Sequence, residues 1–247
     1  MGGGAIITAA GRVRAKMTAI GSHIGRPVPA AGPISDDVVA EIAEVAWWHQ
    51  ARLPPGCEPG LAATAVYTPG YTDPQADGRS NHDETYTAAM TGVIVEVDPA
   101  TGRVQVLDAV LISDCGTVIN PMVVEGQHRG GFTQGLGVAL LEEVRYSDDG
   151  QPLCATLLDY TIPGALDVPD LRVVLRQTPS ATLGGFRGVG ESGIIAAPAV
   201  LVSATDDALR PLGVRLRSTR LHSGALRRTI RATGWRPDAA AWALRPD

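Results

Sequence analysis

Lysine is almost missing from this 247-residue chain: Lys16 is the only one, and the other 20 basic residues are arginine. That nearly removes two chemistries built on an amine, Schiff-base catalysis and the phosphate-gripping lysine of a P-loop. Cysteine is scarce too, with three, at positions 57, 115 and 154, too far apart for any C-x-x-C pair. The chain alone is therefore not expected to hold an iron–sulfur cluster or a structural zinc site. No apolar run approaches the roughly 18 to 20 residues that a membrane-spanning helix needs. The opening Met1-Gly2-Gly3-Gly4 lacks the charged-then-apolar layout of a signal peptide. These absences lead to the expectation of a soluble, cytoplasmic protein. A net charge of −5 also argues against nucleic-acid binding built on overall positive charge.

What is present suffices for a folded core. Hydrophobic residues make up 45% of the chain and charged ones 19%, which excludes wholesale disorder. At roughly 150 residues per domain the length suggests one large domain or two small ones. Gly at 29 and Pro at 18 are above average use, so loops and tight turns carry much of the chain.

Hydrophobic periodicity predicts an amphipathic helix over residues 5–20, entered through flexible glycines. A second helix, capped by Ser35-Asp36-Asp37, runs through Gln50, with Trp47 and Trp48 expected in the core. After the proline-rich linker Leu53 to Gly60 the period changes to two. Residues 61–68 read as a strand, and 86–98 and 103–112 as a stronger pair joined by the turn 99–102. Asn120-Pro121 opens a helix to about Glu142. A hairpin is expected from 144–146 and 156–160 across the turn 147–150, then a short strand at 171–176. A helix from Ser192 to about Leu209 and a basic helix near 224–232 complete an α+β pattern of hairpins, mixed sheet and long helices.

The sharpest chemical feature is Gly184-Gly185-Phe186-Arg187-Gly188-Val189-Gly190-Glu191-Ser192-Gly193 ahead of an apolar helix. Glycines let backbone approach a bulky ligand, and Glu191 in such surroundings is a candidate general base. The alternative on pattern alone is a carboxylate that merely caps the helix. A Rossmann loop fails for want of a preceding strand and the G-x-G-x-x-G spacing, and Ser192 lacks the G-x-S-x-G flanks of a hydrolase. Within the helix after Asn120, five glycines cost about 1 kcal/mol each against alanine, so another helix or a ligand should approach it closely. Cys115 reads as a small buried residue at a strand end. His82-Asp83-Glu84 reads as exposed turn chemistry rather than a metal cluster. Between Arg210 and Arg236 there are eight arginines and no acidic residue, either a solvated face or a complement to an anionic cofactor or acidic partner.

Four segments, DCGTVINPMVVEGQ, GGFTQGLGVALLEE, LLDYTIPGALDVP and GGFRGVGESGIIAAPAVLVSATDDAL, occur in this order and spacing together with the opening GGGAIITAAGRVRAKM. They resemble the C-terminal portion of the molybdopterin-binding large subunit of the molybdenum hydroxylases, the xanthine dehydrogenase, aldehyde oxidase and carbon monoxide dehydrogenase family. The resemblance implies that residues 1–247 form the second half of a molybdopterin-binding domain, with a basic C-terminal segment from about 210 to 247. It further implies that Glu191 is the general base of a hydroxylation using water as oxygen source. Gly188, Val189, Gly190, Gln127 and Gln134 would lie against the cofactor, the two glutamines first of all as helix-packing residues, and none would be a direct metal ligand. His128-Arg129 departs from the family pattern, the first of these positions being usually apolar.

The implied cofactor is molybdenum–molybdopterin, in its cytidine dinucleotide form, shared with a partner chain carrying the complementary N-terminal half. The alternative to a separately encoded chain is a truncation of one longer chain, and against it intact Met1 and a whole first helix lead to the expectation of a natural start. The [2Fe-2S] clusters and FAD would sit on other subunits. The substrate would be a small molecule, an electron-poor N-heterocycle or aldehyde, with no nucleic acid and no membrane span involved. The competing class is a non-catalytic assembly subunit that kept the fold, against which the presence of Glu191 argues.

Overall fold

The computed structural model describes residues 2–68 and 70–236; the final residues of the predicted basic segment, 237–247, lie outside them. The described residues fall into two compact units. One is made of the chain up to Glu84 together with Ser180–Phe186, the other of Thr85–Pro179 and the chain from Arg187 onward.

The first unit is a helical pair, α1 (Gly2–His23) and α2 (Asp36–Trp48), followed by a 3-10 turn at Gln50–Arg52. Met17, Ile20, Val28, Ile42, Val45 and Ala46 are buried between them. The opening glycines are not a flexible entry but the first turn of α1. A Cβ at Gly3 or Gly4 would lie within 3 Å of the rings of Phe186 or Tyr67, so only glycine lets those rings pack beneath the turn. Residues 61–68 form no strand. Their burial alternates with period two because they lie extended along α1, where Thr64 O accepts from Arg12 and Tyr67 meets Gly4. Ser35 occupies the N-cap of α2 without a side-chain cap hydrogen bond. Trp47 and Trp48 are 55% and 81% exposed rather than in the core, since they occupy the solvent side of the last turn of α2.

The second unit is built on a mixed three-stranded sheet, β1 (Ala88–Asp98), β2 (Arg103–Asp114) and β3 (Leu171–Arg176), with β2 in the middle. β1 and β2 run antiparallel from Asp98↔Arg103 to Ala88↔Asp114, with a bulge between Ile94 and Val95. Their turn is closed by Asp98, which accepts from Ala100 N and Thr101 Oγ1, and by Gly102 at φ +76°. β3 joins β2 in parallel, which demands a crossover. That crossover contains α3 (Pro121–Leu140), started by Asn120, whose side chain accepts from Met122 N and Val123 N. After β3 the chain returns as α4 (Ala197–Leu209) and α5 (Ser223–Ala232).

The core of this unit is one cluster in which Ala109, Leu111 and Leu171 of the sheet meet Phe132 and Leu136 of α3, Leu201 of α4, and Leu226 and Ile230 of α5. Two expectations give way here. The predicted 144–160 hairpin reduces to a single Tyr146↔Pro152 bridge, and 156–160 is instead a turn closed by Asp159 N and Tyr160 N on Thr156 O. The helix predicted from Ser192 begins only at Ala197; residues 191–194 form a separate turn, in which Glu191 O accepts from Ile194 N and Ile195 N, and Ala197 N donates to Ile194 O. The fold class is α+β, as the periodicities imply.

Candidate active site

The glycine-rich segment divides between the units, with Gly184–Phe186 in the first and Arg187–Gly193 in the second. In the second unit its approach is anchored at the end of β2. Arg187 N donates to Cys115 O, and the Arg187 guanidinium donates to Thr178 O and Tyr86 O. Asp114 accepts from Gly116 N and Thr178 N. Those hydrogen bonds, led by Thr178 and helped by the nearby Arg187 charge, hold the Asp114 carboxyl at about 2. Cys115 is buried, and burial pushes its thiol upward, in keeping with a packing role.

Beyond this anchor, three consecutive carbonyls are each held by a side chain. Thr87 Oγ1 donates to Gly188 O, Ser192 Oγ donates to Val189 O at 3.0 Å, and Gln127 Nε2 donates to Gly190 O at 2.7 Å. The donors come from the residue immediately before β1, from the loop itself and from α3. The next residue, Glu191, is exposed, and its carboxylate makes no hydrogen bond or ion pair with any described residue. It is not a helix cap: α4 starts six residues later, with Ala196 at its N-cap and no side-chain cap bond.

The glycines of α3 explain how the loop is carried. A Cβ on Gly131 would sit 2.9 Å from Gly193 Cα and 3.0 Å from Ile194 N, and one on Gly193 would sit 2.7 Å from His128 O. Loop and helix touch backbone to backbone there. Gly135 makes room in turn for the side chains of Ala197 and Pro198 at the start of α4, whose nearest atoms would lie 2.6 and 3.1 Å from a Cβ there. Gly126 and Gly130, on the opposite stripe, face nothing within 4 Å. So the sequence alternative of helix or ligand resolves by position. Gly131 and Gly135 serve packing, while Gly126 and Gly130 leave α3 bare beside the exposed Gln127 and Gln134.

His128 and Arg129 part company. Arg129 lies on the surface, paired with Glu125 at 2.8 Å and Asp170 at 3.5 Å, which raise its already high pKa. His128 is fully buried, with Nδ1 3.4 Å from Ser192 Oγ and Nε2 without a partner. Sequence reasoning marked the pair as a departure but gave neither residue a role. The fixed spacing between a helical His128 and the loop residue Ser192 is not visible without the fold. His82-Asp83-Glu84 holds no metal constellation; Glu84 accepts from Tyr67 Oη at 2.7 Å, and among the described residues no group of three or more His, Cys, Asp or Glu is placed to bind a metal. No helix among the described residues is long and apolar enough to cross a membrane.

Residues 1–169 match the molybdopterin cofactor-binding domain, and the chain belongs to that family, the molybdopterin-binding part of the molybdenum hydroxylase large subunits. Among its relatives is the nicotine 6-hydroxylase large subunit of Paenarthrobacter nicotinovorans, 38% identical over 71% of this chain and 20% of the relative. The carbon monoxide dehydrogenase large chain of Hydrogenophaga pseudoflava is 33% identical over 72% of this chain and 21% of its own length. Among solved structures, quinoline 2-oxidoreductase from Pseudomonas putida 86 superposes with a TM-score of 0.72 at 36% identity, over 90% of this chain and 28% of that one. The chain thus spans between a fifth and three tenths of these relatives, and Glu191 lies beyond the residues matched to the family domain.

Proposed function

We propose that this chain forms the base-bearing wall of a molybdenum hydroxylase active site, which hydroxylates an electron-poor carbon of an N-heterocycle or aldehyde with water as oxygen source. One observation carries the reading. The three carbonyls before Glu191 are tied down by side chains of the same unit, whereas the Glu191 carboxylate itself is left unengaged. A base held on a fixed loop, with no internal partner, is arranged to take a proton from a group supplied by something else.

The residues present fit a molybdopterin group along one side. Gly190, Gly126 and Gly130 have open space where a Cβ would go, and Gly188 has only Thr87 Oγ1, at 4.0 Å, so backbone is bare to a bulky neighbour. Gln134 is exposed, and Gln127 keeps its carbonyl oxygen available after its amide nitrogen is committed to Gly190. When bound, the molybdenum–pterin group supplies the two-electron acceptor and the Lewis acidity that make water a usable nucleophile. In the overall reaction a carbon–hydrogen bond and water become a carbon–oxygen bond, two protons and two electrons. Glu191 accepts the proton that water gives up as it attacks. Gln127 and Gln134 would hold the cofactor in orientation, and Gly188, Val189 and Gly190 would supply the backbone beside it.

The remaining contacts would come from the complementary portion of a large subunit on a partner. The cofactor would be the cytidine dinucleotide form, and the electrons would leave through [2Fe-2S] clusters and FAD on further subunits. An N-heterocyclic substrate is favoured by relatives named for nicotine and quinoline. The test is to isolate the chain with its co-purifying partners and measure metals and flavin. Molybdenum equimolar with the chain, accompanied by iron and flavin, is expected; an active complex without molybdenum contradicts the proposal.

A further inference from the structure

We propose that His128, acting through the Ser192 hydroxyl, is a positioning residue for Glu191. The inference rests on reading Glu191 as the base. His128 is fully buried on α3, at the point where the helix and the loop touch backbone to backbone through Gly131 and Gly193. Its Nδ1 lies 3.4 Å from Ser192 Oγ, and Ser192 is the immediate neighbour of Glu191.

Counting protons fixes the direction of this contact. The Ser192 hydroxyl has one hydrogen, and Val189 O at 3.0 Å receives it. His128 Nδ1 must then be the donor, and Nε2 carries a bare lone pair, which agrees with its lack of any partner. The opposite arrangement would strand both a buried Nε2–H and the Val189 carbonyl, and a buried unpaired donor is the costlier defect. The ring therefore stays neutral, as burial itself favours. The resulting chain, His128 Nδ1–H to Ser192 Oγ–H to Val189 O, crosses the Glu191 residue from both sides. With Gln127 on Gly190 O and Thr87 on Gly188 O, it leaves the backbone bearing the carboxylate little freedom.

Isosteres separate positioning from mere packing. Asparagine places an amide N–H near the Nδ1 position, whereas glutamine reaches the Nε2 position and leaves Ser192 without its donor. In the assembled, cofactor-loaded enzyme, His128→Gln and Ser192→Ala should each lower kcat by on the order of 10²-fold, the scale of a 1 Å misplacement, with KM unchanged. Their double variant should fall no further than either single one. His128→Asn should retain most of kcat although it leaves the larger cavity and the lower melting temperature. Amide hydrogen exchange of peptides covering 188–193 should accelerate in His128→Gln and Ser192→Ala but not in His128→Asn. A purely structural role predicts that rate follows stability, with His128→Asn the worse variant, and that order would overturn the proposal. Unchanged exchange in Ser192→Ala would overturn it as well. Accelerated exchange with unchanged kcat would instead contradict Glu191 as the base, because the loop would have loosened without consequence for turnover.

Discussion

Asp114 is a small case of one side chain organising two loops, since it accepts from Gly116 N and Thr178 N and so ties the end of β2 to the approach of the glycine segment. Its carboxyl falls from the usual 3.8 to about 2 in the folded chain. A depressed carboxylate contributes stability that is present above the unfolded value and lost as pH falls toward the folded one. Asp114→Asn should therefore lower the melting temperature at neutral pH, and the gap from wild type should close between about pH 4 and pH 2. Melting curves of both proteins across that range check it; a gap independent of pH would mean that the charge of Asp114 is not what matters. The DCG sequence announced a strand end, but nothing in it showed that residue 178 would return to meet it. Glu191 was legible as a candidate base from its glycine setting. Its independence from the helix was not, because a turn at 191–194 separates it from the start of α4.

At the scale of elements, α3 shows two kinds of glycine. Gly131→Ala would force a Cβ to 2.9 Å from the Gly193 backbone, and overpacking of that kind costs about 1–3 kcal/mol. Gly130→Ala meets nothing within the chain and replaces a poor helix former, so it should stabilise the separate chain by about 1 kcal/mol. The same Gly130→Ala should lower molybdenum retention in the assembled enzyme, because the bare stripe faces the cofactor in the proposed arrangement. Denaturant titration and metal analysis of the two variants test this pair; equal effects would remove the distinction. The basic segment after Arg210 is likewise not one thing. Arg210, Arg215 and Arg220 pair with Asp207, Asp206 and Glu143, while Val214, Leu221, Leu226 and Ile230 are buried in the core of the second unit. Part of the segment is therefore packed, which a charge count does not see: Leu226 and Ile230 stand one turn apart on α5, and Val214 and Leu221 are buried in the stretch before it, so the two readings of the segment concern its other arginines. Arg227, Arg228 and Arg231 of α5 remain the residues through which an acidic partner would be felt. Reversing them to glutamate should weaken assembly most at low salt. Assembly that is indifferent to salt would assign them to solvent.

For the molecule as a whole, the strong periodicities hold: the β1–β2 hairpin, the α3 helix and the β3 strand all stand where the sequence put them, while the parallel pairing of β3 with β2 comes from the structure alone. What failed were segments whose pattern has two physical origins. Residues 61–68 alternate because they lie on a helix, and Trp47 and Trp48 are apolar yet exposed. Leu158, Leu166, Val66 and Ile119 are also largely exposed. Expressed by itself the chain should be poorly soluble and free of molybdenum, and coexpression with the complementary portion of the large subunit should correct both; a well-behaved monomer with stoichiometric metal would contradict a shared site. The most direct measurement is made on Glu191→Gln in the assembled enzyme, with metal content, melting temperature and rate taken from one preparation. The glycine backbone and its three carbonyl clamps are untouched by the change, so molybdenum and stability should match wild type while turnover falls by roughly 10²- to 10⁴-fold, the range assigned to a general base. A variant with full metal and the wild-type rate would remove Glu191 from the chemistry.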